Sequence, residues 1–367
     1  MISLRISRRQ LIQAGVAAAL PLPAFAQERR FAPQVGPWRQ FEVATTVNVA
    51  DPQGVTQLWL PLPDIDTDWQ RTLGSEWSGN ARQARIVADP KRGVRMLYAQ
   101  FAPEVKAPTL TLTSRVMTRN RAVDWSSKAA VAEDPAVLRA NLQPSELKPL
   151  DGIVRKTALD ATRAARSDEA KARALYDWVV INAHREPSTR GCGTGDIKTM
   201  LETGNLGGKC ADLNALFVGL CRSVGVPARD VYGLRLAPSA FGYKELGGNP
   251  ANLKGAQHCR AEVYLQGRGW VAMDPADVLK VMRQETPEWI KDRQHPVAAP
   301  VNTALFGSWE GNWVGFNTAS DIQLPGTVAK QTLPFLMYPN GENQSGRFDE
   351  LSPDSFKYTI TARELKA

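Results

Sequence analysis

One stretch constrains the fold of this chain more than any other: residues 207–227, which read GGKCADLNALFVGLCRSVGVP. Its apolar residues recur at the spacing of one helical face, namely Leu213, Leu216, Phe217, Leu220 and Val224. This spacing predicts a buried helix. Gly225 and Pro227 supply the signals that end a helix. Cys210 therefore lies in the first turn of the predicted helix.

A cysteine in the first turn of a helix has unusual chemistry. The unpaired N–H groups of that turn and the positive end of the helix dipole favour a thiolate over a thiol. A thiolate is the nucleophilic form of cysteine. Cys210 is therefore the candidate nucleophile, and it requires a base.

The candidate base is His258, one of three histidines in the chain. It opens the segment HCRAEVYL, whose alternating polar and apolar residues predict a half-buried strand. A Gly-Arg-Gly turn follows, and the segment WVAMDP predicts the returning strand of a hairpin. The register places Asp274 near His258 without forcing the two residues opposite each other. A carboxylate that orients an imidazole against a thiol is the arrangement of a Cys-His-Asp triad.

Three sequence blocks give the chain a family resemblance. The first block is GGKCAD before the predicted helix together with GVPAR after it, and the second and third blocks, HCRAEVY and GWVAMDP, form the predicted hairpin. In this order the blocks resemble those of the transglutaminase-like, or papain-like, cysteine enzyme superfamily, over roughly residues 151–278. The resemblance implies that Cys210 is the nucleophile, His258 the general base and acid, and Asp274 the orienting carboxylate. Arg260 departs from the resemblance, because the family often has an aromatic residue at this position.

The resemblance implies acyl transfer from an amide through a thioester on Cys210. We expect hydrolysis of a protein or peptide substrate, since nothing marks a second site for an amine donor. Crosslinking of the transglutaminase type is the alternative, and a binding module without turnover is a further one. The backbone N–H of Cys210 and the side chain of Asn205 are the candidate donors to the oxyanion. Asp212 is expected to stabilise the helix start.

Arg260 and Glu262 share the predicted strand face of His258. They are expected to pair with each other, or Arg260 to bind a carboxylate of the substrate. No cofactor and no metal is expected, and no acidic cluster suggests calcium. A zinc site of Cys192, Cys210, His258 and Cys259 is disfavoured because strand alternation points the last two residues to opposite faces and no Cys-x-x-Cys pair exists.

Composition excludes several other classes. Four cysteines in 367 residues are too few for a disulfide framework. Cys221 and Cys259 are expected in the core, and a bridge between Cys192 and Cys210 is disfavoured. The net charge of +8 comes with no cluster of basic and aromatic residues, so nucleic acid is not an expected partner. The glycine-rich segment 190–196 lacks the ending of a phosphate loop and is expected to border the cleft.

The first 26 residues are typical of a targeting segment. Ser7-Arg8-Arg9 begins a twin-arginine signature, a short apolar run follows, and Ala24-Phe25-Ala26 fits a cleavage site. The apolar run is too short to span a bilayer, so no stable membrane insertion is expected after cleavage. The segment predicts export of the folded protein to the periplasm.

The remaining pattern predicts an α+β protein of several parts. Alternating segments over 38–123 predict an antiparallel β-sandwich, and 124–150 is a linker with a short helix near 135–141. Residues 151–300 are expected to form the transglutaminase-like core, in which the Cys210 helix packs on an antiparallel sheet. Helices are expected at 151–165, after Ser167, and near 284–292. Residues 301–367 are expected to form a β-rich extension on the core, with strands at 333–338 and 356–361 and with Trp309 and Trp313 as core residues.

Overall fold

The computed structural model describes residues 29–129, 132–352 and 355–366. The targeting segment 1–26 lies outside the described residues. The strands are β1 Arg39–Asn48, β2 Thr56–Pro61, β3 Gln70–Gly79, β4 Gln83–Ala88, β5 Arg95–Phe101, β6 Thr109–Thr118, β7 Arg121–Ala122, β8 His184–Arg185, β9 Gly207–Gly208, β10 Ala228–Arg235, β11 Gln257–Leu265, β12 Gly269–Met273, β13 Ser308–Trp309, β14 Trp313–Asn317, β15 Asn340–Asn343, β16 Gly346–Arg347 and β17 Lys357–Leu365. The helices are α1 Pro135–Ala140, α2 Gly152–Ala161, α3 Asp168–Asn182, α4 Ile197–Thr203, α5 Cys210–Ser223, α6 Pro275–Gln284 and α7 Ala299–Ala304.

Two antiparallel sheets build the N-terminal part of the molecule. Their strand orders are β17-β1-β6-β3 and β16-β15-β2-β5-β4. Alternate residues of β1 and β6 are buried, and they share one hydrophobic core with residues of β2 and β5, including Phe41, Leu58, Leu97 and Leu112. The two sheets therefore pack face to face, which is the sandwich that the alternating sequence predicts.

The C-terminal residues divide between the two parts of the molecule. Strand β14 pairs with β10 of the core, but β17 pairs with β1 and β15 pairs with β2 of the sandwich. The expected extension on the core is thus in large part a completion of the sandwich sheets. The expected strand at 333–338 was wrong, since Leu333 makes only an isolated bridge with Ile322. Strand β15 instead begins at Asn340.

The core consists of helix α5 against the sheet β12-β11-β10-β14. Helices α2 and α3 pack on α5, and both lie where the sequence predicts helices. The hydroxyl of Ser167 caps α3 by accepting the Ala170 N–H at 3.2 Å. The predicted stripe of α3 is buried, namely Ala172, Leu175, Tyr176 and Val179. This arrangement is an α+β fold in which α5 packs on β11.

The helix expected near 284–292 was wrong, because the structure has α6 at Pro275–Gln284. The carboxylate of Asp274 caps α6 by accepting the Asp277 N–H at 3.1 Å, and Pro275 occupies the first turn. An aspartate followed by a proline is a strong helix-start signal. Asp274 therefore serves both the helix start and the site described below.

Among the described residues, we find no helix with the length and apolar character that a membrane span requires.

Candidate active site

The N-terminus of α5 faces a cleft of about 590 Å³. Cys210 is the first residue of α5 and lines this cleft, and its exposed fraction is 4%. Its N–H belongs to the first turn, whose donors have no partner within the helix. His258, at the start of β11, also lines the cleft, whereas His184 and His295 do not.

The three residues that the sequence proposes as a triad are brought together. The Nε2 atom of His258 lies 2.8 Å from Oδ2 of Asp274. Because this contact engages Nε2, Nδ1 is the imidazole nitrogen left to serve the thiol, and Cys210 and His258 line the same cleft. Asp274 is fully buried, and its Oδ1 accepts a hydrogen bond from Nδ2 of Asn214 at 3.2 Å. Helix α5 thus supplies both the thiol and a donor that holds the carboxylate.

A second carboxylate, which the sequence did not indicate, also contacts His258. Oδ2 of Asp277 lies 3.3 Å from Nε2 of His258. Asp277 is buried and forms an ion pair with Arg235, whose Nη2 lies 2.5 Å from Oδ1. Asp277 lies three residues after Asp274 on α6, so the helical spacing places both carboxylates on one face. The sequence feature that could have identified Asp277 is the Asp274-Pro275 pair. This pair marks the start of a helix, and a helix that starts there places residue 277 in its first turn, next to Asp274.

The buried charges shift the titration of the imidazole. Burial and the positive charge of Arg235 lower the pKa of His258, but the carboxylates of Asp277 and Asp274 outweigh them and raise that pKa to about 9. Burial also acts on Asp277, yet Arg235 and His258 hold the pKa of its carboxyl well below the usual range. His258 is therefore favoured as an imidazolium near neutral pH.

The pKa of the Cys210 thiol moves in the opposite direction. Hydrogen bonds from the side chains of Cys192, Cys259 and His258, together with the charge of His258, lower the pKa of Cys210 well below its ordinary value despite burial. The four cysteines are free. A lowered thiol pKa beside a raised imidazole pKa favours a thiolate–imidazolium pair, which is the reactive form of a cysteine nucleophile.

Cys192 reaches this position on a glycine-rich loop that borders the cleft, as the sequence predicts. Oδ1 of Asp212 accepts the N–H groups of Thr194 and Gly195, each at 2.9 Å, and Oδ2 accepts the N–H of Lys209 at 3.0 Å. Gly193 has φ +86°, and any Cβ there would overlap the Asp212 carboxylate. Asp212 stabilises the helix start, as expected, and it also fixes the loop against α5.

The two other candidate residues lie away from the thiol. Asn205 is exposed, does not line the cleft, and accepts the Gly207 N–H at 3.2 Å with its own Oδ1. Arg260 is buried against Trp313, whose ring centroid is 4.7 Å from Cζ, and its Nη1 donates to the Glu310 carbonyl at 3.1 Å.

The expected pairing of Arg260 with Glu262 was wrong. Glu262 instead pairs with Arg121 and Arg229. Nε of Arg260 approaches Oδ2 of Asp274 at 3.6 Å, and Arg260 does not line the cleft. The sequence could not indicate this environment, because it depends on strands contributed by distant parts of the chain.

One group of described residues has the spacing that a metal ion could use, namely His258, Asp274 and Asp277. These residues differ from the cysteine-rich set considered from the sequence. The Arg235 guanidinium already neutralises Asp277 at this position, and Arg260 lies near Asp274. Two buried guanidinium groups next to the carboxylates oppose the binding of a further cation. The group is better suited to orient an imidazolium than to hold a metal.

Comparisons with known proteins bear on this arrangement. A model of the transglutaminase-like superfamily core matches residues 155–275. An uncharacterized protein of Haemophilus influenzae is 33% identical over 343 residues, which are 89% of this chain and 91% of that protein. A crystal structure from Cytophaga hutchinsonii, described as a candidate cysteine protease, has a TM-score of 0.55 at 16% identity and covers 91% of this chain and 93% of its own.

The periplasmic domain of TgpA from Pseudomonas aeruginosa has a TM-score of 0.36 at 18% identity, covering 73% of this chain and 77% of its own. The similarity to the Cytophaga hutchinsonii protein concerns the fold and extends over nearly the whole chain. The matched segment 155–275 contains Cys210, His258 and Asp274.

Proposed function

We propose that this chain, whose residues 155–275 match the transglutaminase-like superfamily, is an enzyme that transfers the acyl group of an amide through a thioester on Cys210. Hydrolysis of a peptide, isopeptide or glutamine side-chain amide is the reaction that we favour. The observation that supports the proposal most directly is the 2.8 Å contact of Nε2 of His258 with Oδ2 of Asp274, next to a cleft that Cys210 and His258 both line.

The first half of the reaction forms the thioester. The Cys210 thiolate attacks the amide carbonyl carbon, and the C–N bond breaks as Nδ1 of His258 gives its proton to the departing amine. The negative oxygen formed on the way requires donors, and the N–H of Cys210 at the start of α5 is placed to serve as one. Asp274 holds the imidazole in orientation through its 2.8 Å contact with Nε2.

The second half releases the acyl group. Nδ1 of His258, now neutral, accepts a proton from water, and the resulting hydroxide attacks the thioester carbonyl. The C–S bond breaks, a carboxylic acid leaves, and the proton on His258 restores the thiolate–imidazolium pair. Asp277 and Asp274 both favour the imidazolium, so they support the protonated stage of each half-reaction.

We further propose that the protein is exported to the periplasm by the twin-arginine route. The support for this proposal is the Ser7-Arg8-Arg9 signature, the short apolar run and the Ala24-Phe25-Ala26 site. Fractionation of cells that produce the full chain, with an Arg8→Lys, Arg9→Lys variant as the control, tests this part. Equal amounts of both proteins in the periplasm would contradict it.

Mass spectrometry of periplasmic extract tests the reaction itself. We expect wild-type protein, but not Cys210→Ala, to produce cleaved or deamidated peptides. Crosslinked products in place of cleaved ones would show that an amine rather than water reaches the thioester. Identical spectra for the two proteins would refute the proposed activity.

A labelling experiment separates an enzyme from a binding module without turnover. Iodoacetamide at pH 6 should modify Cys210 rapidly, and this rate should fall in His258→Ala. Burial raises the pKa of Cys221, which therefore serves as the internal slow thiol. A Cys210 thiol no faster than Cys221 would favour the module.

A further inference from the structure

Apart from the Cys210 thiolate, the charged side chains that line the cleft are basic. Five basic side chains are among the described residues that line it, and none of those residues is acidic; the basic ones are Arg185, Lys209, Arg235, Lys254 and Lys280. The whole chain, in contrast, has 45 basic and 37 acidic residues. The sign of the cleft is thus a local property and does not follow from the overall composition.

Two of these cations have carboxylate partners within the protein. Arg235 pairs with Asp277 at 2.5 Å. Nζ of Lys280 donates to the Glu245 carbonyl at 2.7 Å and lies 3.3 Å from Oε2 of the same residue. The charges of Arg235 and Lys280 are therefore largely balanced before any substrate binds.

Arg185 and Lys209 are different. Nε of Arg185 donates to the Gln284 amide oxygen at 3.0 Å, and neither Arg185 nor Lys209 forms an ion pair with a carboxylate in the part of the chain that the structure describes. Glu186 follows Arg185 in the chain, but its carboxylate accepts from Ser188 and does not line the cleft. Arg185 and Lys209 are only partly exposed.

The backbone brings these two cations to the nucleophile. Strand β8 pairs in parallel with β9, so that Arg185 lies opposite Gly208, and the Glu186 N–H donates to the Gly208 carbonyl at 2.9 Å. Lys209 is the residue between this bridge and Cys210. Burial and the neighbouring charge of Arg185 lower the pKa of Lys209, which indicates two positive charges that an anion would stabilise together.

We infer that the substrate of this cleft is an acidic peptide, whose carboxylate is held by Arg185 and Lys209 while an adjacent amide meets Cys210. This inference rests on the proposed function for the amide, but the carboxylate site itself requires no turnover. The planar guanidinium of Arg185 has donors left for two carboxylate oxygens, and the positive N-terminus of α5 points to the same space. The carboxylate can come from a glutamate or aspartate side chain or from a peptide C-terminus.

Peptide binding to the Cys210→Ala protein tests the inference without any catalysis. Three fluorescent peptides of equal length distinguish the sources: an internal-Glu peptide with an amidated C-terminus, its Gln counterpart with a free C-terminal carboxylate, and the amidated Gln counterpart without either group. Fluorescence anisotropy gives the dissociation constants. We expect one or both carboxylate peptides to bind about tenfold more tightly than the neutral one, as for a hydrogen bond to a charged group.

Substitutions locate the carboxylate. Arg185→Gln and Lys209→Gln, each made in the Cys210→Ala protein, should reduce the preference for the carboxylate peptide by about tenfold. Arg82→Gln and Lys106→Gln are the matched controls, since both residues are exposed and lie outside the residues that line the cleft, and they should leave the preference unchanged. Circular dichroism confirms that each variant is folded.

The results separate this inference from the proposed function. Equal binding of all three peptides, or a preference that survives both cleft substitutions, would overturn the inference even if the wild-type protein cleaves amides. A preference that depends on Arg185 and Lys209 would support it even if no cleavage is found.

Discussion

Replacement of Asp277 by asparagine tests how the buried charges control His258. Nε2 of His258 lies 3.3 Å from Oδ2 of Asp277, a separation at which two unit charges interact by about 5 kcal/mol at an effective dielectric constant of about 20. The actual effect is smaller, because Arg235 lies next to Asp277 and has the opposite effect. The pKa of His258 rises from 6.5 to about 9, which corresponds to about 3 kcal/mol in favour of the imidazolium.

Asp277 and Asp274 share this stabilisation. The Asp277→Asn change removes the contribution of Asp277 and leaves the charge of Arg235 uncompensated, and both effects lower the pKa of His258. We therefore expect the midpoint of the His258 titration to fall by at least about one pH unit. Loss of one partner of a buried ion pair should also destabilise the fold by about 3–5 kcal/mol.

The assay is carbon-13 NMR of histidine Cε1 atoms, which is simple because the chain has three histidines. The His258 signal is assigned by its loss in His258→Gln. Asp160→Asn is the control for the chemical change, since Asp160 is exposed and pairs only with surface residues. A midpoint that stays near 9 in Asp277→Asn would refute the electrostatic account of the site, whatever happens to stability.

Three further predictions concern stability. His258, whose folded pKa is raised, stabilises the fold below pH 6.5 and loses this effect as pH rises through about 9. Cys210, whose folded pKa is lowered, stabilises the fold above pH 9.0 and loses this effect as pH falls below that value. The two effects oppose each other, so the free energy of unfolding of the wild type, measured with denaturant, should depend little on pH between 6.5 and 9. In Cys210→Ala it should fall by up to about 3 kcal/mol as pH rises over this range. The same pH dependence in both proteins would contradict this prediction. Asp212→Ala leaves three backbone N–H groups without their acceptor and should lower the unfolding free energy by about 3 kcal/mol in urea titration, and an unchanged value would be inconsistent with the loop contacts. Gly233→Ala places a Cβ against the Val314 carbonyl in the core sheet and should lower the thermal midpoint, so an unaltered midpoint would contradict the tight β10–β14 contact.

The sequence alone determined the local elements of the site. The apolar spacing after Cys210 gave helix α5, and the alternation around His258 gave the β11–β12 hairpin. Each of these signals is contained in fewer than about twenty consecutive residues, so short-range periodicity is enough to reveal it. The three motifs also fixed the order of Cys210, His258 and Asp274 along the chain.

Tertiary structure alone decided what surrounds these residues. Asp277 meets His258 because α6 starts directly after Asp274, and Arg235 meets Asp277 because β10 lies beside β11. The pairing of β17 with β1 joins residues more than three hundred positions apart, and the β8–β9 bridge brings Arg185 to Lys209. Such contacts depend on packing between segments that are distant in the chain. This packing produces no periodic pattern in the sequence from which the contacts could be predicted. The sequence can therefore indicate the candidate reactive groups, but the charged neighbours that shift the pKa values of those groups are brought to them only by folding.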